Sequence, residues 1–217
     1  MFESKYSKLL TAILIVVIIA IVSLLIFWGI DVYKNFASKK AAQELVDNYE
    51  NAISDGNAVD INNQELATPV LNEEIKETTT SGKRVTYNGY NVVGTIEIPK
   101  ISLKYPILER VTPKSIESSV AVMVGPGPNQ VGNTVIAGHN YRNGSFFGKN
   151  KQLSLGDKIY ITDSSGARIE YNIYNIYETS PDDGDYITRD TKGKREVSLT
   201  TCTDNSKSRL IIWAVED

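Results

Sequence analysis

The chain has 217 residues, of which 41% are hydrophobic and 23% charged, and a formal net charge of −3. This length allows one domain of good size with additional segments, and the weakly acidic balance excludes the electrostatic footprint of a nucleic-acid-binding protein. With one cysteine, Cys202, and one histidine, His139, the composition also excludes a disulfide framework and a zinc site rich in Cys and His.

The first predicted element is a membrane-spanning helix from Leu9 to Ile30. This run contains no charged residue, and at about 1.5 Å per residue it spans roughly 33 Å, enough to cross the hydrocarbon core. A cleaved signal peptide would have a shorter apolar region of about 7–15 residues. We therefore expect residues 1–30 to be a short cytoplasmic tail and an uncleaved single-pass anchor in the cell membrane. Basic residues lie on both sides of the run and do not favour either orientation. We expect the short N-terminal tail inside the cell and the rest of the chain outside, because this is the default arrangement for a short tail before a membrane span.

A stalk is predicted over residues 31–84. Residues 41–54 are rich in helix formers, and the apolar side chains of Ala42, Leu45, Tyr49 and Ile53 recur at helical spacing. Residues 55–84 are dominated by Asn, Glu, Thr and Gly, and such a composition cannot bury enough apolar surface to offset the entropy lost on ordering. We expect a short helix followed by a flexible tether.

A mainly β domain is predicted over residues 85–217, where short runs of β-forming residues are separated by Gly, Pro and Asn. One or two helical turns fit residues 113–119, with Thr112 as the N-cap and Pro113 at the first helical position. Many short strands and almost no helix favour a closed β-barrel or a sandwich. Eight strands are expected, at residues 92–98, 104–108, 120–124, 134–138, 158–162, 167–177, 195–202 and 209–215.

Two details of this pattern give local predictions. Residues 163–166, Asp-Ser-Ser-Gly, lie between two predicted strands and are typical of a hairpin turn. Side chains of the run 167–177 alternate between faces until the phase slips at residues 174–176, which predicts a bulge or a bend.

Cys202 ends the seventh predicted strand. With a period of two, it shares a face with Ser198 and Thr200, opposite the face of Val197 and Leu199. A free cysteine is most often a small buried hydrophobe, but an unpaired thiol outside the membrane is open to oxidation. Its polar neighbours and its place at a strand end make Cys202 a candidate nucleophile.

Arg209 and His139 are the candidate partners of Cys202. If the last two strands form an antiparallel hairpin, Arg209 lies opposite Cys202 with Cβ atoms about 4.5–5.5 Å apart, where a guanidinium would favour the thiolate. Lys207 is the competing cation, and a solvated edge arginine is the alternative. His139 is the only histidine available to a Cys–His mechanism. It lies at a strand-to-loop junction, where a solvated loop histidine is the alternative interpretation.

Three motifs, in this order along the chain, resemble those of sortases, the cysteine transpeptidases of Gram-positive bacteria. Residues 135–140, Val-Ile-Ala-Gly-His-Asn, are similar to the histidine motif of that family. Residues 198–202, Ser-Leu-Thr-Thr-Cys, resemble its signature Thr-Leu-x-Thr-Cys, and residues 209–212, Arg-Leu-Ile-Ile, resemble its arginine-led last strand. The resemblance implies a sortase-like closed eight-stranded β-barrel. The compact size and Thr203 after the cysteine resemble class D, with class A next.

The resemblance also implies the reaction. Cys202 would attack the threonine carbonyl of a Leu-Pro-x-Thr-Gly-like sorting signal and form a thioacyl enzyme, while His139 would exchange protons with the leaving and incoming amines. Arg209 would hold the substrate backbone or the oxyanion. The implied partners are secreted proteins with C-terminal sorting signals and a peptidoglycan precursor amine, and the chemistry requires no cofactor.

A metal site is not expected. Some class A sortases bind calcium through acidic residues ahead of the histidine, but residues 120–133 contain none. Asp182, Asp183 and Asp185 cluster later in the chain, and we interpret them as solvating a loop.

Two other function classes stay open. A membrane-anchored cysteine hydrolase or peptidase would use the same Cys, His and Arg residues and pass the acyl group to water. A non-catalytic cell-surface binding module would make Cys202 a core residue, which would then resist a small thiol reagent.

Overall fold

The computed structural model describes residues 3–54, 85–203 and 206–217, so the tether predicted at 55–84 lies outside the described residues. The chain divides into two compact units, Met1–Ala41 and Ala42–Asp217. A long helix, α1 (Glu3–Ser54), contributes its first part to one unit and its last part to the other.

The N-terminal unit contains an apolar helical stretch, Leu10–Ile30, with a mean hydropathy of 3.3. Its side chains are exposed at every position, including large ones such as Leu14 and Phe27. The hydroxyl of Ser23 donates to the carbonyl of Ile19 at 2.8 Å, so this polar group is satisfied within the helix. The structure thus confirms one N-terminal helix that is long and apolar enough to span a membrane.

The second unit is built on a β-barrel. Its strands are β1 (Thr86–Tyr87), β2 (Tyr90–Ile98), β3 (Leu103–Leu108), β4 (Val120–Val124), β5 (Gly132–Ala137), β6 (Lys158–Asp163), β7 (Arg168–Thr179), β8 (Arg195–Cys202) and β9 (Arg209–Glu216). Single 3₁₀ turns occur at Pro99–Ile101 and Asn150–Gln152.

The barrel is closed by eight strands in the order β2-β3-β4-β5-β8-β9-β7-β6, and β6 pairs back with β2. The pairs β3–β4 and β5–β8 are parallel, and the other neighbours are antiparallel. All eight predicted strands are present, which confirms the closed eight-stranded barrel. Strand β1 is an addition that pairs only with β2, and its two residues are too few to produce a periodic pattern.

At the predicted helical turns the structure has one short helix, α2 (Ser115–Ser118). It begins at Ser115, two residues later than the predicted first position at Pro113. Thr112 nevertheless has the capping contact expected of it, because its Oγ1 accepts the backbone N–H of Ser115 at 3.0 Å.

The two local predictions for β6 and β7 are confirmed. The Gly166 N–H donates to the Asp163 carbonyl at 3.1 Å, which closes the hairpin turn. In the pairing of β7 with β9 the register shifts between Ile173 and Asn175, where the alternation of side chains slips.

The barrel interior is filled by large aliphatic side chains from every wall, so that one continuous apolar core holds the strands in register. It includes Ile96, Ile107, Val120, Ile136, Ile159, Ile173, Leu199 and Ile212.

The end of α1 packs against the outside of this barrel. Ala42, Leu45, Val46 and Tyr49 are each at most 7% exposed, and their spacing places them on one face of the helix. Leu45 and Tyr49 share an apolar cluster with three barrel residues, Val92, Leu108 and Ala121. The predicted helix at 41–54 is therefore present, and its described apolar residues belong to the same compact unit as the barrel.

Candidate active site

Three neighbouring strands bring His139, Cys202 and Arg209 to one edge of the barrel. In the parallel pair β5–β8 the last partners are Ala137 and Thr200, so His139 follows β5 at the level of Cys202. In the antiparallel pair β8–β9, Cys202 is the direct partner of Arg209. Because paired strands lie about 4.8 Å apart, the three backbone positions form a row with the cysteine in the middle.

The Cys202 side chain lies on the outer face of the barrel. Val197 and Leu199 belong to the interior core, so the alternation of side chains places Ser198, Thr200 and Cys202 outside. The face predicted for Cys202 is the observed one. Cys202 is half-buried, which leaves its thiol open to a substrate.

Arg209 is the cation that contacts the cysteine. Its Nη1 lies 3.2 Å from Cys202 Sγ, and the exposed Lys207 lies two residues earlier in the chain. The guanidinium donates a hydrogen bond to sulfur at this distance, and its remaining N–H groups can donate to a substrate oxygen. The predicted opposition of these two side chains is thus observed.

The backbone on either side of His139 is fixed to the cysteine strand. Thr201 Oγ1 donates to the Gly138 carbonyl at 2.6 Å, and Asn140 Nδ2 donates to the Cys202 carbonyl at 2.9 Å. A Cβ atom on Gly138 would lie 2.7 Å from Phe147 Cδ2, so only glycine allows this close approach. These contacts hold the backbone at His139 against the end of the Cys202 strand.

The histidine ring stacks on an aromatic neighbour. The ring centroids of His139 and Tyr141 are 5.0 Å apart, and Tyr141 in turn contacts Phe146 at 5.7 Å. Sequence reasoning missed Asn140 and Tyr141, because residues of these types in a loop have many possible local partners. Their one visible signal was their place directly after the histidine.

The β7–β8 loop (residues 180–194) borders this edge. Thr179, the last residue of β7, is the partner of Arg209, so the loop leaves the sheet beside the site. Further along it, the buried Tyr186 side chain packs with Val135 and Ile211 on the outer face. The sequence predicted a loop here but gave no indication of this buried tyrosine.

The acidic residues of this loop have structural contacts. The hydroxyl of Thr179 donates to Asp183 Oδ2, and the Asp185 N–H donates to Asp183 Oδ1 at 2.8 Å. The hydrogen bond from Thr179 is the main cause that lowers the pKa of Asp183. Within the part of the chain that the structure describes, no three His, Cys, Asp or Glu residues are grouped as metal ligands. Independence from calcium stays a prediction.

Comparisons with known proteins identify the family of this chain. A family model described as the sortase domain matches residues 96–217. Sortase A of Bacillus anthracis is 36% identical over 127 residues, which cover 55% of this chain and 58% of that protein. The chain therefore spans less than two thirds of this relative's length.

Solved structures of sortases have the same fold. Sortase A from Corynebacterium diphtheriae has a TM-score of 0.55 at 25% identity, covering 62% of this chain and 63% of that one. A Clostridium perfringens sortase D5 transpeptidase has a TM-score of 0.53 at 30% identity, covering 58% and 79%. A sortase C from Clostridium perfringens, solved with the C-terminal cell wall sorting motif, has a TM-score of 0.51 at 25% identity, covering 58% and 70%.

Proposed function

This chain belongs to the sortase family of cell-wall transpeptidases. We therefore propose that it cleaves a Leu-Pro-x-Thr-Gly-like sorting signal in a substrate protein and joins that substrate protein to a peptidoglycan amine. The observation that carries the proposal is the half-buried Cys202, with the Arg209 guanidinium 3.2 Å from its sulfur and His139 two residues beyond the end of the neighbouring strand β5. A nucleophile, a cation and a proton carrier at one barrel edge are the groups that acyl transfer needs.

The first step forms a thioacyl enzyme. The Cys202 thiolate attacks the threonine carbonyl carbon, and the negative charge moves to the carbonyl oxygen. Arg209 donates hydrogen bonds to this oxyanion or to the substrate backbone beside it. When the C–N bond breaks, His139 gives its proton to the leaving amine, and the acyl group stays on sulfur as a thioester.

The second step transfers the acyl group. An amine of a peptidoglycan precursor attacks the thioester carbonyl, and neutral His139 accepts a proton from it. Collapse of the adduct expels the Cys202 thiolate and leaves an amide bond between the two substrates. The products are a protein fixed covalently to the cell wall and the enzyme in its starting protonation state. These steps use side chains of the protein alone.

The comparisons support the substrate class and leave the subclass open. A related sortase C was solved with the C-terminal cell wall sorting motif, and the likeness of its fold to this chain supports secreted proteins with such signals as the substrates. Sortase A and sortase D5 proteins are both similar to this chain. We propose a class D-like enzyme, with class A as the alternative.

The anchor and stalk complete the proposal. The apolar helix Leu10–Ile30 would hold the protein in the cell membrane as a single-pass anchor. Residues 31–84 would act as the stalk and tether, of which the stretch from Ala42 to Tyr49 packs on the barrel. Residues 85–217 would be the catalytic domain outside the cell. This location gives the enzyme access to secreted proteins and to wall precursors.

The test is product analysis with the full chain in detergent micelles. Peptides containing Leu-Pro-x-Thr-Gly are incubated with and without triglycine, and the products are identified by mass spectrometry. We expect cleavage between Thr and Gly, an amide product when triglycine is present, and a thioacyl adduct on Cys202. Cys202→Ala should be folded and inactive.

The alternatives give different products. Cleavage that yields only the free acid at every triglycine concentration would identify a cysteine hydrolase instead. Absence of cleavage, together with a thiol that resists iodoacetamide in the folded protein, would identify a binding module with Cys202 in its core.

A further inference from the structure

The β7–β8 loop contains a buried cation, Arg189. Its side chain is only 12% exposed, and that of its ion-pair partner Glu196 is 10% exposed. Burial lowers the pKa of Arg189, but a guanidinium keeps its proton in proteins. A buried charge of this kind is stable only when it is paired and hydrogen-bonded, so its partners fix its position.

The contacts of Arg189 reach four strands, because Nη1 also donates to the Tyr174 hydroxyl of β7 at 2.5 Å. Nη1 pairs with Glu196 of β8, and Nη2 donates to Asn133 Oδ1 of β5 and to Ser198 Oγ of β8, each at 3.0 Å. The guanidinium carbon lies 4.3 Å from the ring centroid of Trp213 on β9, as in a cation–π contact. Three of these strands, β5, β8 and β9, bring the proposed catalytic residues together.

Arg189 also determines how Asn133 holds the loop. The amide oxygen of Asn133 accepts from Arg189 and from the Ser198 hydroxyl. Its nitrogen is therefore directed to the loop, where it donates to the carbonyls of Tyr186 and Ile187 at 2.9 and 3.1 Å. An amide has its donor and acceptor on opposite branches, so a cation at the oxygen side fixes the orientation of both.

The segment held in this way packs on the strand that neighbours the Cys202 strand. The Tyr186 side chain packs on Ile211, which is the partner of Thr200 in the β8–β9 ladder. Thr200 and Cys202 point to the same face and are separated by about 7 Å along the strand. A movement of Tyr186 would thus change the surface next to the nucleophile.

We infer that Arg189 is a positioning residue that fixes residues 180–194 as one wall of the peptide-binding cleft and so sets the affinity for the sorting signal. This inference rests on the proposed transpeptidase function. Arg189 does not reach the reacting atoms in this arrangement, because it acts through Asn133 and Tyr186. The row of His139, Cys202 and Arg209 is held by the strand ladder, so the chemical step should depend little on Arg189.

The test compares Arg189→Lys with the matched control Arg168→Lys in the full chain in detergent. Arg168 also has an ion pair, 2.7 Å from Glu97, and it lies over the Tyr160 ring at 4.7 Å. Its contacts involve β2, β6 and the end of α1, away from the cleft strands. A lysine ammonium keeps the charge but cannot reproduce the planar fork or the stacking of Arg189.

We expect Arg189→Lys to lower kcat/KM for the Leu-Pro-x-Thr-Gly peptide by about 10- to 100-fold, the scale of a displacement of about 1 Å. The loss should be mainly in KM, the mark of lost substrate binding. In Arg189→Lys, hydrogen exchange of residues 180–194 should become faster, whereas the rate at which Cys202 reacts with iodoacetamide should match wild type. Arg168→Lys should match wild type in KM and in hydrogen exchange. Glu196→Gln keeps the Arg189 guanidinium and its other contacts, so its KM should rise less than that of Arg189→Lys. It replaces Arg189→Lys as the test variant if that variant does not fold.

A wild-type KM in Arg189→Lys, or an equal loss in Arg168→Lys, would overturn the inference. A loss confined to kcat would overturn it too, since the loop would then act on chemistry. If wild type cleaves no peptide, the proposed function fails and the substrate part of the inference fails with it. Hydrogen exchange still decides whether Arg189 holds the loop, because that measurement needs no substrate.

Discussion

Arg209 can serve Cys202 in two ways that have different chemical consequences. The guanidinium lies 3.2 Å from sulfur and can hydrogen-bond it in the attacking state, but a sulfur stabilised in this way is also a weaker nucleophile. The second role is hydrogen bonding to the oxyanion. It does not weaken the nucleophile, because it operates only as charge develops on the carbonyl oxygen. We therefore expect the oxyanion or backbone contact to dominate.

Substitutions at Arg209 separate the two roles. Arg209→Ala should lose roughly 10²–10³ in kcat, the scale of one lost oxyanion donor. Arg209→Lys should recover only part of this, since an ammonium lacks the planar fork. If Lys restores most activity and Ala slows thiol alkylation in parallel, stabilising the thiolate is the main role. Nearly wild-type activity in Arg209→Ala would reject both roles and make Lys207 the residue to test.

Gly138 is a second residue whose identity the site requires. An added Cβ would lie 2.7 Å from Phe147 Cδ2 and 2.9 Å from Val120 Cγ1, both side chains of the core. Gly138→Ala should therefore cost about 1–3 kcal/mol of unfolding free energy by overpacking and should also displace His139. Thermal melting and kcat measure the two effects. Gly29→Ala is the control, because a Cβ there meets nothing within 4 Å and the residue lies in the N-terminal helix, and equal behaviour of both variants would contradict the argument.

At the level of elements, the end of α1 acts as an outer layer of the catalytic unit. Its apolar face covers strands β2, β3 and β4, and its polar edge forms ion pairs with Lys104 through Asp47 at 2.7 Å and Glu50 at 3.3 Å. Half-exposed pairs of this kind contribute at most about 1 kcal/mol each. The burial of Leu45 and Tyr49 is thus the larger contribution to docking, at about 1.5–3 kcal/mol for each large apolar side chain.

Tyr49 makes this docking sensitive to alkaline pH. Burial, aided by the charge of Asp163, raises its pKa from 10.0 to about 12. Between these values the unfolded chain loses the phenolic proton while the native protein keeps it. The stabilisation is complete below pH 10 and is lost as pH rises towards 12. The denaturant midpoint should fall between pH 8 and pH 11.5, and the fall should be smaller for Tyr49→Phe than for wild type. An identical fall in both proteins would show that ionisation of Tyr49 does not affect stability.

The acidic loop gives a second prediction at this scale. Both carboxylate oxygens of Asp183 already accept hydrogen bonds, and residues 120–133 have no carboxylate. A hard cation such as Ca²⁺ needs six to eight oxygen ligands. We expect kcat/KM for the sorting peptide to be the same in EGTA and in millimolar calcium. Activity that collapses with chelator and returns with calcium would show that these aspartates bind the ion.

For the whole molecule, the apolar helix and the single cysteine make location directly measurable. The mean hydropathy of 3.3 over Leu10–Ile30 predicts that the chain stays in the membrane pellet after alkaline carbonate extraction. A variant lacking residues 1–30 should move to the supernatant. Retention of that variant in the pellet would show that another segment binds the membrane.

Orientation follows from labelling intact cells with a membrane-impermeant maleimide. Cys202 is the one cysteine of the chain and is half-buried, so it reports the side on which the catalytic domain lies. We expect labelling of wild type and none of Cys202→Ala. Labelling that requires lysis of the cells would place the domain in the cytoplasm.

The local pattern of the sequence determined much of the barrel and of the site. Short runs of β-forming residues bounded by Gly, Pro and Asn identified the eight barrel strands. Alternation with a period of two identified the outer face of Cys202, because side chains of a strand alternate whatever its neighbours are. The short connection between the last two strands was enough to predict that Arg209 opposes Cys202, since hairpin length fixes register. The apolar run from Leu9 to Ile30 predicted the helix by length and composition alone.

Tertiary structure decided the contacts between residues far apart in the chain. His139 meets the Cys202 strand through the parallel pairing β5–β8, and the Asn140–Cys202 hydrogen bond joins residues 62 positions apart. Arg189 lies 56 positions from its partner Asn133. The helical stretch at 42–49 has an apolar face, but its local sequence does not indicate which strands that face packs against. Periodicity and turn chemistry describe only neighbours in sequence, whereas these pairings follow from closure of the barrel, which buries the faces of all eight strands at once.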